Sequence, residues 1–369
     1  MKLVFWLSAG LLVYAQAGYG VLLAALARLR GARHQRQPAQ SRPSVSLIVA
    51  AYAEEAVIAD KVANARALDY PREQLEIVVA CDGSPDATPQ RAREAGADVV
   101  LELPHGGKIR AQDAAVERSR SDIVAFSDAN AMWERDALTR LVEPFADADV
   151  GYVCGQVQFV NDAGTNQEGV YWRYEMWLRS LESELASVTG GNGAIYATRR
   201  EDYLVVDPVM GHDLSFPFNM VKRGRRALYA PAARATEKMV PSIEGEFARK
   251  RRMMSHAWPI VVRGGLLSPR GYHPLYALMI ASHRALRYAS PFLHLVAFAA
   301  NVALLGDGWV YVAAFALQCA VLLAALIGGV RPFLIARYYV LTTASIAAGL
   351  ADWTRHGTPA GWAPAEGTR

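Results

Sequence analysis

Apolar positions concentrate at the two ends of the chain, and a normally charged stretch separates them. Residues 3–27 contain no charged side chain. A helix of about 20 apolar residues crosses a bilayer core, so this run is long enough. Lys2 and Ala15-Gln16-Ala17 resemble the start and cleavage site of a secretory leader. The apolar run continues through Val21-Leu22-Leu23, past such a cut, which favours a retained anchor. Five arginines follow (Arg28, Arg30, Arg33, Arg36, Arg42), with no acid before Glu54. The positive-inside rule then puts the stretch after Arg28 in the cytoplasm and the N-terminus outside. Residues 291–349 form the second apolar zone, with Asp307, Arg331 and Arg337 as its formal charges. Gly306-Asp307-Gly308 and Gly328-Gly329-Val330-Arg331-Pro332 punctuate it. This predicts spans near 290–306, 309–328 and 333–351. Three crossings from the cytoplasm would leave the C-terminus outside.

Between these zones the periodicity alternates. Residues 44–50, 76–81, 99–101 and 122–126 are short apolar runs of the buried-strand kind. Helical spacing covers 54–67, 86–95 and 134–145, and Gly106-Gly107 opens another helix carrying Lys108 and Arg110. A β-α-β-α order implies a mostly parallel sheet covered on both faces. Such sheets bind ligands beyond the carboxyl ends of their strands. Three polar clusters fall there: Tyr52-Ala53-Glu54, Asp82-Gly83-Ser84 and Asp128-Ala129-Asn130.

Composition narrows the class. The 369 residues are 52% hydrophobic and 20% charged, with a mean hydropathy of +0.09, which excludes a disordered chain. Lys and Arg total 39 against 35 for Asp and Glu, a net charge of only +4, so nucleic acid is not an expected partner. Cys81, Cys154 and Cys319 are too scattered for a cysteine zinc site or a disulfide scaffold.

The first strand is followed by Ala50-Ala51-Tyr52-Ala53-Glu54-Glu55, without the glycines of a dinucleotide fingerprint, and no phosphate-binding GxxxxGK[ST] loop occurs. Carboxylates at strand ends instead suit ribose hydroxyls, a uracil edge or a divalent cation on a diphosphate. Either Asp82 or Asp128 alone reads as a loop cap.

Taken in order, these segments resemble the family 2 glycosyltransferases. Ser46 to Glu55 matches their opening strand and Tyr-Asn-Glu-Glu loop, with Ala53 in place of Asn. Asp82-Gly83-Ser84-Pro85-Asp86-Ala87-Thr88 matches the Asp-Gly-Ser-x-Asp-x-Thr segment. Gly107-Lys108 and Asp128-Ala129-Asn130 fall on the Gly-Lys and DxD positions. Gly190-Gly191-Asn192-Gly193-Ala194 is similar to the acceptor loop, Gly211-His212-Asp213 to the motif holding the base, and Arg249-Lys250-Arg251-Arg252-Met253 to (Q/R)xxRW, with Met253 for Trp.

The resemblance implies a GT-A nucleotide-sugar transferase domain, an α/β fold flanked by transmembrane helices. The division is an anchor at 1–29, a cytoplasmic transferase at 43–272, an interfacial segment at 273–289, about three spans at 290–351 and a tail at 352–369. The membrane arrangement resembles the polysaccharide-synthase branch, with the hyaluronan, chitin and cellulose synthases. It implies a multi-pass inner-membrane enzyme in polysaccharide synthesis, with export machinery as a further partner.

By the same resemblance, Ala51, Tyr52, Glu54, Asp82, Lys108, Asp128, Arg249 and Arg252 bind a nucleotide-sugar donor, UDP-linked by expectation. Asp128 and Asn130 hold Mg²⁺ or Mn²⁺, although an amide brings no charge. Gly191, Asn192, Gly193 and His212 contact a glycan or lipid-linked acceptor. Asp213 is the general base of a direct, inverting displacement. The competing reading of Asp213 is an N-cap for the helix that follows it. Lys108 reads equally as a solvated helix-start lysine, and Arg249 and Arg252 as a lipid-facing basic patch. The aromatic run Tyr171, Trp172, Tyr174, Trp177 reads as a packed helix before it reads as a sugar platform. Met253 favours single addition over a processive synthase. Ala53 and Asn130 keep a non-catalytic membrane subunit in view, and a transporter is a weaker third class.

Overall fold

A computed structural model describes residues 1–31, 42–160, 169–238, 243–327, 331–359 and 361. Arg33, Arg36, the Gly328-Gly329-Val330 turn and most of the tail after 359 lie outside the described residues.

The anchor is one long helix: α1 (Lys2–Val13), a π turn (Tyr14–Gly18) and α2 (Tyr19–Arg30). The transferase region runs β1 (Val45–Ala51), α3 (Ile58–Arg66), β2 (Leu75–Asp82), α4 (Thr88–Glu94), β3 (Val99–Leu103), α5 (Lys108–Arg118) and β4 (Ile123–Asp128). It continues with β5 (Met132–Trp133), α6 (Ala137–Val142), β6 (Val150–Val160), α7 (Val170–Leu185), β7 (Ile195–Arg199), α8 (His212–Lys222), β8 (Arg226–Lys238) and α9 (Ile243–Val262). The C-terminal helices are α10 (Pro274–Met279), α11 (Leu286–Val302), α12 (Trp309–Ile327) and α13 (Arg331–His356), with a π turn (Ile280–Ala285) joining α10 to α11.

The eight strands order as β3-β2-β1-β4-β7-β6-β8-β5. β3, β2, β1 and β4 are parallel neighbours. β7 runs antiparallel to β4 and β6, and β8 returns parallel to β6. β1 is fully buried because both faces are covered, by α3 and α4 on one side and α5 on the other. The carboxyl ends of β1, β2 and β4 therefore open on one edge.

The membrane helices are tied to this domain more closely than the hydropathy suggests. The first half of the anchor packs on α11 and α12 through Phe5 and Trp6. From Tyr19 onward it packs on α7, and Gly20 lies against Tyr174, Trp177 and Leu178. Lys2 pairs with Asp307 at 3.1 Å, which brings the N-terminal end beside the α11–α12 turn. Among the described residues three helices are long and apolar enough to cross a membrane: 2–30, 309–327 and 333–356. α13 lies along α9: Trp258 donates its indole N–H to Ile346 O (2.9 Å), Arg251 chelates Asp352, and Thr358 bonds Ser255 O. Lys250 adds to this packing, since its ammonium takes Tyr338 and Thr342 of α13 as partners.

Candidate functional site

The donor edge is held by reciprocal loop contacts. Asp86 accepts from Glu55 N–H (3.2 Å) and Thr88, while Glu55 accepts from Ala87 N–H (3.1 Å). Glu54 donates its N–H to Thr88 Oγ1 at 2.9 Å. These bonds clamp the loop after β1 to the loop after β2. The clamp forces Ala53 to φ +53°, the left-handed region that Asn tolerates better than Ala. Asn is the residue expected at that position, so Ala53 carries a conformational cost.

Several predicted donor contacts lie beneath the surface. Ala51 and Asp82 are 0% and 1% exposed, and Glu54 is 3%. Asp82 accepts from Gly106 N–H (2.7 Å) and Gly107 N–H (2.9 Å), with His105 Nδ1 at 3.1 Å. Its carboxylate holds the loop ahead of α5, which is the capping reading. Gly107 there takes φ +98°, a backbone that suits glycine. Above it the Tyr52 and His105 rings pack at 4.6 Å between centroids, so Tyr52 presents an aromatic wall.

Lys108 is neither solvated nor idle: its ammonium pairs with Asp128 at the end of β4. A Cβ added to Gly193 would fall 3.4 Å from Lys108 Nζ. The donor edge and the predicted acceptor loop therefore meet at Lys108. Asn192 shapes that loop from within, donating to Gly155 O (2.7 Å) and accepting from Ala194 and Ile195 N–H. Gly191 must lack a side chain because Tyr152 OH occupies the space, and Gly190 because Arg284 does.

Gly191 N–H bonds Asp213 O at 2.6 Å, which fixes Asp213, the predicted base, against the predicted acceptor loop. Asp213 is not an N-cap. Gly211 is the cap residue, α8 begins at His212, and Asp213 sits in the first turn without a side-chain cap bond. A half-buried carboxylate there gains from the helix dipole. Its charge reaches Tyr152, Tyr196 and, on α11, Tyr288.

His212 is corrected as an acceptor contact. It is 3% exposed, stacks on Phe216 at 4.1 Å and meets Tyr196 OH through Nδ1 at 2.8 Å. Burial, with Lys108 as a smaller cause, pushes it down to about 3, so it is neutral at pH 7. It packs beneath the site. Arg249 chelates Glu246 on its own helix at 2.8 and 3.0 Å and acts on Glu237. Arg252 lines a cavity of about 480 Å³ between α9 and the end of α13, with Ser255, Asp352 and His356.

Three groups escaped the sequence reading. Lys61 is fully buried on α3 and donates to Ala131 O at 2.6 Å; one turn on, Asn64 brackets Trp133 N–H and C=O. Together they brace the segment after Asp128, and Trp133 passes the brace to the acceptor loop through Ala194 O (3.1 Å). Glu237, half-buried near the end of β8, feels Asp128, Lys108, Arg249 and Lys61. Burial first and Asp128 second push it up to about 7. A carboxylate near a strand end is the same signal as Asp82 and Asp128, so β8 could have shown it.

The third is a polar knot beneath the acceptor loop. Glu182 of α7 accepts from Tyr19 OH (2.7 Å) and Thr189 N–H (3.0 Å) and meets His283 Nδ1 at 2.6 Å. Arg284 bonds Thr189 Oγ1, and Arg287 chelates Glu175. Burial alone would raise Glu182; the His283 and Arg284 charges outweigh it and hold Glu182 down at about 2. The aromatic run on α7 divides: Tyr174 and Trp177 pack on the anchor at Gly20, Trp172 packs on Phe159 of β6, and Tyr171 on Tyr338 of α13.

The donor set was tested for a divalent cation. Asp128 offers a carboxylate, Asn130 an amide oxygen two residues on, and Glu237 a second carboxylate pressed by Asp128. Hard oxygen donors of this kind suit Mg²⁺ or Mn²⁺. Among the described residues no three His, Cys, Asp or Glu side chains form a metal-holding group by themselves. In chemistry, two acids and an amide are oxygen donors that such a cation takes.

An open α/β sheet with a strand-end acid, a basic residue from the next helix and a carboxylate across the cleft defines a GT-A-like fold. A solved mannosyltransferase from Pyrobaculum calidifontis, in complex with GDP-Man and Mn²⁺, shares it: TM-score 0.73 and 23% identity over 96% of this chain and all of that one. The family model "Glycosyl transferase family 2" matches residues 46–204. Among curated relatives, the beta-monoglucosyldiacylglycerol synthase of Synechocystis is 30% identical over 53% of this chain and 43% of its own. The poly-beta-1,6-N-acetyl-D-glucosamine synthase of Staphylococcus aureus is 23% identical over 64% of this chain and 60% of its own. The chain spans about half the length of the first curated relatives it matches.

Proposed function

We propose that the chain is an inverting, membrane-bound glycosyltransferase. It transfers a sugar from a nucleotide-sugar, UDP-linked as the first expectation, to a lipid-linked acceptor at the bilayer surface. The observation that carries this reading is the position of Asp213. Its backbone oxygen accepts from Gly191 N–H of the glycine-rich loop at 2.6 Å, and its half-buried carboxylate sits in the first turn of α8 beside that loop.

Asp213 takes the proton of the acceptor hydroxyl as its oxygen attacks the anomeric carbon, and the diphosphate departs from the opposite face. A UDP-α-sugar gives a β-linkage. Tyr52 stacks on the base of the donor, Asp82 shapes the pocket through Gly106 and Gly107, and Lys108 and Arg249 face the diphosphate. A divalent cation, Mg²⁺ or Mn²⁺, held by Asp128 and Asn130, would neutralise the leaving group. The reading places the enzyme in the inner membrane with its transferase in the cytoplasm.

A second reading, a processive synthase feeding an export system, is supported by likeness to the Staphylococcus enzyme. Against it, Met253 stands where the motif has Trp and is 42% exposed.

Inverted vesicles carrying the protein, supplied with UDP- and GDP-sugars and Mg²⁺ or Mn²⁺, test both. Wild-type-specific nucleotide release with one sugar added to lipid is the expected result. Long product moves the assignment to the synthase. No release with any donor, from folded protein, overturns the transfer reading.

A further inference from the structure

We infer that Glu237 is a third protein ligand of the divalent cation and supplies the negative charge that Asn130 lacks. The inference rests on the cation site proposed above and deepens it.

The argument starts from strand register. β5 pairs antiparallel with β8, Met132 opposite Thr236 and Trp133 opposite Ala235. Thr236 Oγ1 reinforces the ladder through Met132 O at 3.3 Å, and Glu134 N–H extends it to Arg234 O at 3.0 Å. Glu237 is the residue of β8 that follows Thr236, and the chain facing this end of the ladder leads back from Met132 through Ala131 to Asn130. On its other side Glu237 is opposite Phe159 of β6. Its backbone is therefore held in the sheet, at the end of the ladder nearest the Asp128–Asn130 loop.

Charge completes the argument. A strand-end acid two residues from a second acid would bring two negative charges to the cation. In this chain the second position is Asn130, whose oxygen is neutral. A Mg²⁺ or Mn²⁺ ion bound to a diphosphate favours hard anionic oxygens, and affinity tracks the number of ligand charges. Glu237 feels the charge of Asp128 and of Lys108, Arg249 and Lys61, and Lys108 pairs with Asp128. Moving one carboxylate from position 130 to position 237 restores the count while leaving the loop geometry, braced by Lys61 and Asn64, intact. The plainer alternative makes Glu237 the counter-ion of buried Lys61 and nothing more.

The test reads Mn²⁺ itself. Full-length protein in nanodiscs is titrated with Mn²⁺, alone and with UDP or GDP, and free Mn²⁺ is followed by its electron paramagnetic resonance signal. Four forms are compared: wild type, Asp128→Asn, Glu237→Gln, and the double variant Asn130→Asp/Glu237→Gln. The expected result is a tenfold or greater loss of Mn²⁺ affinity in Glu237→Gln, recovered to within about threefold in the double variant. Recovery also shows that Glu237→Gln folds. Loss in Asp128→Asn with unchanged affinity in Glu237→Gln overturns the inference and leaves the transfer reading standing. Absence of Mn²⁺ binding by wild type, with or without nucleotide, overturns it as well, while sugar transfer is judged separately in the vesicle assay.

Discussion

The two sides of the cleft are built by opposite means. The donor side is closed by short loops at the ends of β1, β2 and β4, and its bonds (Glu55 with Asp86, Asp82 with Gly106 and Gly107) stay within the α/β sheet. The acceptor side is held from far away. Gly190 abuts Arg284 of the turn leading into α11, and the adjoining Thr189 bonds Glu182, which also holds Tyr19 of the first helix, while Gly191 meets Tyr152 and the Asp213 backbone. The donor side is closed within the sheet, whereas the 190–194 loop is also tied to the helices at the two ends of the chain.

Four changes break or sharpen that contrast, from the largest expected effect to the smallest. Asp213→Asn removes the base without removing a cap bond, so turnover should fall by about 10²–10⁴ while UDP binding and the thermal midpoint hold; retained turnover would return Asp213 to a structural role. Glu182→Ala strands His283 and Arg284 in a buried site, a loss of about 3–5 kcal/mol. Denaturation should show that loss, with UDP affinity in the surviving folded fraction within twofold of wild type. Equal loss of nucleotide binding would erase the distinction between the two sides.

The third change concerns pH. His212 takes up its proton near pH 6.5 when unfolded and near 3 when folded. The unfolded chain therefore binds more protons between those values, and stability falls as pH drops below 6.5. At pH 5 the His212 contribution should be lower by about 2 kcal/mol. Urea denaturation of wild type and His212→Gln at pH 7 and 5 isolates it: the variant should lose less on acidification. The smallest change lies in the donor loop. Ala53→Asn relieves a left-handed alanine and should stabilise by about 0.5–1 kcal/mol. A lower thermal midpoint would mean that Ala53 fits its loop for another reason.

Much of the donor side was legible in advance. Parallel strands buried on both faces show as unbroken apolar runs, and 44–50 and 76–81 became β1 and β2 for that reason. The turn after each strand carried its own polar cluster. The acid at 82 was visible, but its engagement by Gly106 and Gly107 was not, because those N–H groups come from another loop. Glu237 was missed because its relevance depends on β8 pairing with β5, more than 100 residues earlier in the chain. The knot around Glu182 was equally hidden: its partners are spread from Tyr19 to Arg287.

By itself the sequence determined what local physics controls: apolar ends long enough for membrane, alternating strands and helices between them, and carboxylates at strand ends. Hydrophobic period and turn chemistry act over a few residues, so one chain suffices to read them. Tertiary structure decided everything that depends on which elements touch. It turned Asp213 out of its cap role, sank His212 beneath the surface, laid α13 along α9 and paired β8 with β5. Each of those outcomes is a packing or register choice between distant segments, settled only when the sheet and its helices close on one another.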